Sequence, residues 1–456
     1  MPDGVDVLLG NQRKGVVALA IPLCLAFLIQ QANSFIDTLW VSGLGSKELA
    51  AIGIVAPIYT ALVGAGTGLG IGISSAISRS IGRGDRAHCD RVAGQGIILT
   101  VVTSIILTVF LITTAEPVLL MFGARDTINE CLSYAYPLYI CTLFLILSGV
   151  LSGMLRGEGA AKRSMYVQVL CAVLNMILDP IMIYGLGMGI TGAAWATSIS
   201  FMISIIPGIY WYLVRRNTFV SLKKGDFVRD RSTMKEIMSV GFPEMLELSI
   251  MNVFTLFLNF FIVIVGGTDA VAVYGVCMRV FMLLMTPAQA IGGALVSICS
   301  AEYGMRRFDM INDAFRFSIH LSLIITTILT IILCILNGLF TGMITGSSGM
   351  PYMYDSMYKL VAICAVSMIP FALVYVGSGL LQSLNKAGHA MVNTLFRNMF
   401  LVLCFAVGTY VIGTLDAVWY ANIVAEIVGG SMMFIHARYM FKQVSARIGS
   451  NNPSNA

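Results

Sequence analysis

Charged residues are scarce in this chain. Asp, Glu, Lys and Arg make up 11% of its 456 residues, against about 25% in a soluble globular domain. With 57% of the residues hydrophobic, no single core of this length could hide so much apolar surface from water, so lipid must be the solvent. Histidine is scarcer still: four residues, all dispersed. The ten cysteines (24, 89, 131, 141, 171, 277, 299, 334, 364 and 404) form no CxxC pair and no zinc-ligand spacing. They read as small buried apolar residues, and no clustered centre of an enzyme is expected. No stretch alternates polar and apolar residues over the ~10 positions of a membrane β-strand. No polar ring or pore loop marks a channel. The glycine run Gly64, Gly66, Gly68, Gly70 and Gly72 has neither the preceding strand nor the acidic partner of a nucleotide loop. It fits close helix packing in lipid instead.

What the chain does have is long apolar runs, too long for barrel strands and long enough for membrane-crossing helices. They predict an all-α integral membrane protein with twelve spans, near 16–42, 49–76, 93–114, 132–154, 164–186, 191–214, 237–264, 270–297, 314–337, 357–381, 390–412 and 416–440. The first run is too long for a cleavable signal peptide and leads straight into further spans, so it reads as span 1. With the N-terminus inside, the inner segments hold 23 of the 28 Lys and Arg residues. The outer side holds only Lys47, Arg125 and Lys359, while Arg279 and Arg397 fall within spans. This bias places both termini in the cytoplasm. The net charge of +5 is then a matter of topology, and no nucleic-acid partner is expected. The four tryptophans, Trp40, Trp195, Trp211 and Trp419, sit near span ends, where an interfacial belt is expected.

The two halves repeat one another. Ala20-Ile21-Pro22 faces Gly241-Phe242-Pro243 at an offset of 221, and GSKELAAIG (45–53) faces GTDAVAVYG (267–275) at 222. GRGDRAHCDRV (82–92) faces GMRRFDMINDA (304–314) at 222, and LRGEGAAKRSM (155–165) faces LQSLNKAGHAM (381–391) at 226. Six spans per half is an even number, so both halves enter from the same side and form a parallel repeat. The expected organisation is a six-helix lobe over 1–214, a basic cytoplasmic linker over 215–236, a second six-helix lobe over 237–440 and a cytoplasmic tail over 441–456.

Polar residues inside spans are costly and therefore informative. Span 1 carries Gln30, Asn33, Ser34 and Asp37, whose spacings of 3, 4 and 7 share a helical face. Span 5 carries Asn175 and Asp179, one turn apart, with Pro180 following. Proline removes a backbone donor and frees the carbonyl of Met176. Asp37 lies roughly 8 Å and Asp179 roughly 10 Å from the outer span ends. The two acids are therefore expected to line one polar site in the first lobe. Span 7 offers a second polar set, Glu247, Asn252 and Thr255, with Asn259 beyond and Glu244 solvated near the cytoplasm. Arg279 of span 8 is a candidate partner for an acid or carbonyl, whereas Glu426 and His320 read as lone structural residues.

These residues carry a resemblance. IDTLWVSGLGS (36–46) with AAIG (50–53), LRGEG (155–159) and LNMILDPIMIYGLGMGITGAAWAT (174–197) resemble the multidrug and toxic compound extrusion (MATE) family, in its prokaryotic DinF-like branch. The resemblance covers almost the whole chain. It implies a V-shaped, two-lobed exporter of small organic molecules in a prokaryotic plasma membrane, working as a monomer. Inward H+ or Na+ flux would drive it, with no other cofactor. By position, the coupling residues it implies are Asp37, Asn175 with Asp179, Thr197 and Tyr134. Asp37, Asp179, Asn175 and Thr197 are the expected ligands if the ion is Na+. Where the family often has Asn three residues before the span 1 Asp, this chain has Ser34, with Asn33 alongside. The span 7 acid of other branches is not matched in register by Glu247, so that role is not carried over. A lipid-linked precursor flippase is the alternative, but such proteins carry a basic central cavity. The loop 79–91 lacks the Gly-x-x-x-Asp-Arg-x-Gly-Arg pattern of major-facilitator transporters.

The charge bias makes a direct prediction. Alkaline phosphatase fused after Arg125 should be active, and green fluorescent protein fused at the C-terminus should fluoresce. The opposite pattern overturns the assigned orientation.

Overall fold

The computed structural model describes residues 4–347 and 351–449. Among them there are helices and turns and no strand. A short helix, Val5–Leu9, precedes span 1 at Gln12–Ser42. Spans 2 and 3 are Ser46–Gly82 and Arg86–Met121. Span 4 is two helices, Ile128–Ile140 and Thr142–Gly157, bent by 52°. Pro137 removes a donor from the first, and the Thr142 hydroxyl donates back to the Tyr139 carbonyl at 2.8 Å, which stabilises the bend. Spans 5 and 6 are Ala161–Gly185 and Gly189–Arg215. One helix, Arg231–Gly304, carries spans 7 and 8; Gly267, at φ 71°, breaks it where the sequence halves predict a turn. Spans 9 to 12 are Phe308–Ser347, Tyr354–Ser383, Ala387–Ile412 and Leu415–Gly449. Counting the broken helix as two and the bent pair as one, the described residues form twelve spans. The last helix runs through much of the expected tail to Gly449; residues 450–456 lie outside the described residues.

Apolar side chains on the outside confirm a membrane-embedded, multi-pass protein. Ile324, Ile328, Ile331 and Ile335 form an exposed stripe on span 9, and Ile105, Ile106, Val109 and Phe110 do so on span 3. Trp419 departs from the interfacial reading: it is fully buried and stacks on Tyr274, with centroids 5.8 Å apart.

The repeat is visible in the backbone itself. Left-handed residues fall at matching places in the two halves: Gly45 and Gly267, Gly84 and Arg306, Gly159 and Asn385, Gly187 and Gly413. The first two pairs are 222 positions apart and the last two 226, the offsets of the sequence matches. Spans 5 and 11 also both end in one π-turn, Ile181–Gly185 and Gly408–Ile412.

The chain forms two compact units. One is the chain up to Ser249 with Ser300–Arg307; the other is Ile250–Cys299 with the chain from Phe308 onward. The inner ends of spans 7 and 8 thus pack with the first half. The glycine run explains part of this. Gly66 and Gly70 face span 4, where a Cβ on Gly70 would meet the Gly149 carbonyl at 2.4 Å. Gly68 and Gly72 face span 7, where a Cβ on Gly72 would meet the Ile237 carbonyl at 2.4 Å. One run of alternating glycines therefore seats two helices on span 2. Arg79 adds an ion pair to Glu236 at 2.9 Å, and the Ser75 and Ser300 hydroxyls lie 3.0 Å apart.

The segment 215–236 is pinned to the first unit. The buried Gln95 amide donates to the carbonyls of Asp226 and Val228, each at 2.9 Å, and accepts from the Asp230 N–H at 3.0 Å. Glu158, buried just past the inner end of span 4, accepts from the Tyr212 hydroxyl and the Phe219 N–H, both at 2.8 Å. Burial raises the Glu158 carboxyl from its ordinary 4.5 to about 7, against these hydrogen bonds, which pull it down. A raised acid binds its proton more tightly in the folded state, so stability falls as pH rises from 4.5 to about 7. The melting temperature of the purified protein should fall over that window, and Glu158→Gln should flatten the slope. An unchanged slope in the variant contradicts this assignment.

Candidate functional site

Spans 1 and 5 pack together in the first unit, and a ladder of polar groups joins them at successive turns. At the inner rung the Gln30 amide donates to Gln168 Oε1 at 3.4 Å. At the middle rung the Asn33 amide donates to Asn175 Oδ1 at 2.8 Å. At the outer rung the carboxyls of Asp37 and Asp179 come within hydrogen-bonding reach. Asn175 ties the upper rungs together. Its amide donates to Asp179 Oδ1 at 2.9 Å and to Thr197 Oγ1 at 3.4 Å, while Thr197 donates to the Ala193 carbonyl at 3.1 Å. Pro180 follows Asp179 and cannot continue the α pattern with an N–H; the backbone passes into the π-turn Ile181–Gly185 just beyond the acid.

The span 5 side of the site is buried, Asp37 and Asn33 are half-buried and Gln30 is exposed, and acceptors outnumber donors. Asp179 is fully buried, and Asn175, Thr197 and Tyr134 nearly so. Asp179 Oδ2 and Asn33 Oδ1 are buried without a hydrogen-bond donor. Tyr134 and Tyr59 lie within electrostatic range of both carboxylates. Two carboxylates this close repel unless a proton or a cation stands between them. The arrangement is thus a ready acceptor for one positive charge. Among the described residues no three His, Cys, Asp or Glu side chains gather as a metal centre.

Ser34 stands apart from the ladder. It is exposed, and its carbonyl accepts from the Thr38 hydroxyl at 2.8 Å. At about 100° per residue, Asn33 and Asp37 point toward span 5 while Ser34 turns to the far edge of the stripe. Asn33 supplies the amide that the position three before Asp37 lacks. Tyr59 and Gln168 were not singled out by sequence; Gln168 lies seven residues before Asn175, on the same helical face, and could have been.

The second polar set is divided between the two units. Glu247 is half-buried in the first unit, and Asn252 half-buried in the second. Arg279 is exposed. Thr255, with Asn259, lines a cavity of about 250 Å³ in the second unit, whose other polar lining residues include Ser367, Arg397, Asn398, Asn422 and Glu426. Arg397 and Glu426 pair at 2.5 Å, so Glu426 is not a lone residue. The missed signal was two opposite charges buried in neighbouring spans, each too costly in lipid without the other. His320 is exposed and bonds the Arg316 carbonyl of its own helix.

Known proteins share this architecture. The MatE family model matches residues 22–181 and 243–408. Multidrug export protein MepA of Staphylococcus saprophyticus is 27% identical over 305 residues, 66% of each chain. MepA of Staphylococcus haemolyticus is 27% identical over 58% of this chain and 59% of its own; the aligned region thus spans slightly less than two thirds of either relative. A crystal structure of a MATE in complex with MaL6 superposes with a TM-score of 0.94 at 28% identity, covering 98% of this chain and 100% of that one. A MOP superfamily transporter from Pyrococcus furiosus, described as having a binding pocket of reverse polarity, superposes at 0.93 with 28% identity, covering 97% and 98%.

The ladder predicts unequal effects for neighbouring residues. Asn33→Ala leaves buried Asn175 Oδ1 without its donor and should cost on the order of 1–3 kcal/mol, lowering the melting temperature of the purified protein. Ser34→Ala should leave it within error. Equal effects would place the ladder on the wrong face of span 1.

Proposed function

Since the chain belongs to the MatE family of multi-pass membrane transporters, we propose that it exports small organic compounds, often cationic and amphipathic, in exchange for H+ or Na+. The observation that carries this reading is the acid pair Asp37–Asp179, held by Asn175 and left with one buried acceptor oxygen, Asp179 Oδ2, that no protein donor fills. The names of the MepA relatives support export of drugs.

The cycle follows from electrostatics. With the site open to the outside, the acid pair takes up one H+ or Na+, and the mutual repulsion of the carboxylates is relieved. For Na+, the oxygens of Asp37, Asp179, Asn175 and Thr197 are the ligands. Taking up the cation lowers the negative charge of the pair and weakens its hold on a cationic substrate, which leaves outward. The protein then exposes the site to the cytoplasm, where the ion departs and the recovered negative charge favours the next substrate. Ion and substrate thus compete for one charge deficit, and this competition is the coupling. In this reading both termini face the cytoplasm of a prokaryotic cell and the monomer is the working unit. The alternative of a flippase for lipid-linked precursors is disfavoured, because Arg397 is neutralised by Glu426 and Arg279 is exposed.

Asp37→Asn and Asp179→Asn should each abolish resistance to exported drugs in cells at unchanged expression. In vesicles, efflux of ethidium should follow an imposed pH gradient or an imposed Na+ gradient, and the ion that drives it is the coupling ion. Normal export by both variants contradicts the coupling role of the acids.

A further inference from the structure

The cavity of the second unit presents a different chemistry from the acid ladder. Arg397 stands ten residues into span 11 and Glu426 eleven into span 12, so each charge lies roughly 15 Å from the nearer helix end. Arg397 Nη1 donates to Glu426 Oε1, and its Nη2 donates to Asn398 Oδ1 at 2.8 Å. The guanidinium lies over the Phe371 ring, 4.8 Å from its centre. Room for the stem is made by Gly429, whose Cβ, if present, would meet Arg397 Cγ at 2.2 Å. The pair is thus a built feature of three spans. Yet one donor and one acceptor in it are unused. Arg397 Nε and Glu426 Oε2 are both buried without a hydrogen-bond partner, and their residues line the same cavity.

We infer that this cavity is a binding site for an uncharged aromatic molecule bearing a hydroxyl or amide, which accepts from Arg397 Nε and donates to Glu426 Oε2. The charge balance selects this class. The pair is already neutral, so a ligand of either net charge would be desolvated with nothing to offset the loss. A neutral group that both donates and accepts satisfies the two orphan atoms at once. The remaining walls suit an aromatic body: Tyr274, Phe281 and Phe371 are rings, and Met251, Met278 and Met282 are flexible thioethers that repack around varied shapes. The volume, about 250 Å³, fits a molecule of one or two rings with a short polar arm. This goes beyond the export reading, since it concerns binding alone and needs no ion gradient.

The site has its own reporter. Trp419 is buried and stacks flat on Tyr274, a cavity-lining ring. In a variant with Trp40, Trp195 and Trp211 changed to Phe, Trp419 is the sole indole. Chloramphenicol is uncharged, carries hydroxyls and an amide, and has a nitroaromatic ring that quenches indole fluorescence. Its titration should quench Trp419 saturably. The charge-neutral double variant Arg397→Met/Glu426→Met should bind at least tenfold more weakly. Gly275→Leu should abolish saturable quenching with the ion pair intact. Gly275 lines the cavity, and a Cβ there meets nothing within 4 Å, so the side chain fills the space without strain near the backbone. Asp37→Asn/Asp179→Asn should leave the titration unchanged, which separates this site from the acid ladder. Non-saturable quenching in the parent, or unaltered affinity in both cavity variants, overturns the proposal.

Discussion

A carboxylate inside a membrane protein must be neutralised by something, and for Asp179 the protein supplies only part of that. The Asn175 amide satisfies Oδ1, Oδ2 is buried with no donor, and a second carboxyl, that of Asp37, lies within hydrogen-bonding reach of the residue. No positive side chain balances the two acids there. Two acids in low dielectric cannot both stay ionised and unaccompanied without a large penalty. The hydrogen-bond ladder thus leaves room for a cation between the two acids, and the proposed transport cycle makes use of it.

The rest of the first unit keeps that deficit in place. The α pattern of span 5 ends at Pro180 and passes into a π-turn beside the acid. Span 2 carries alternating glycines that seat span 4 on one side and the inner end of span 7 on the other. The second unit meets the same physical difficulty, charge in lipid, with the opposite solution. Arg397 and Glu426 neutralise each other and leave a net-neutral cavity wall. Two halves of one repeat, still matched at their left-handed turns, thus balance these buried charges differently.

Much of this was legible in the sequence, for identifiable reasons. Span number followed from long apolar runs, because lipid enforces helices of fixed minimum length. The repeat showed itself at GSKELAAIG and GTDAVAVYG because turns need particular residues, and Gly45 and Gly267 do carry left-handed backbones. The acids stood out because ionisable groups are rare in spans. What was not legible depended on rotation and on neighbours. Ser34 and Asn33 differ by one residue, yet only packing against span 5 decides which faces Asn175. Glu426 looked isolated because its partner lies 29 positions away on another helix. Trp419 sits near a span end but is drawn inward by Tyr274 and by its hydrogen bond to Ser356 at 3.0 Å. The bend at Cys141 needed the combined effect of Pro137 and Thr142, which no periodicity reports.

Difference infrared spectroscopy on the purified protein gives the most direct test, because the carboxyl stretch reports each buried acid by itself. On adding protons or Na+, the account predicts one coupled carboxyl change that disappears in Asp37→Asn and equally in Asp179→Asn. Two independent signals, each surviving loss of the other acid, would show that the carboxylates do not share a cation.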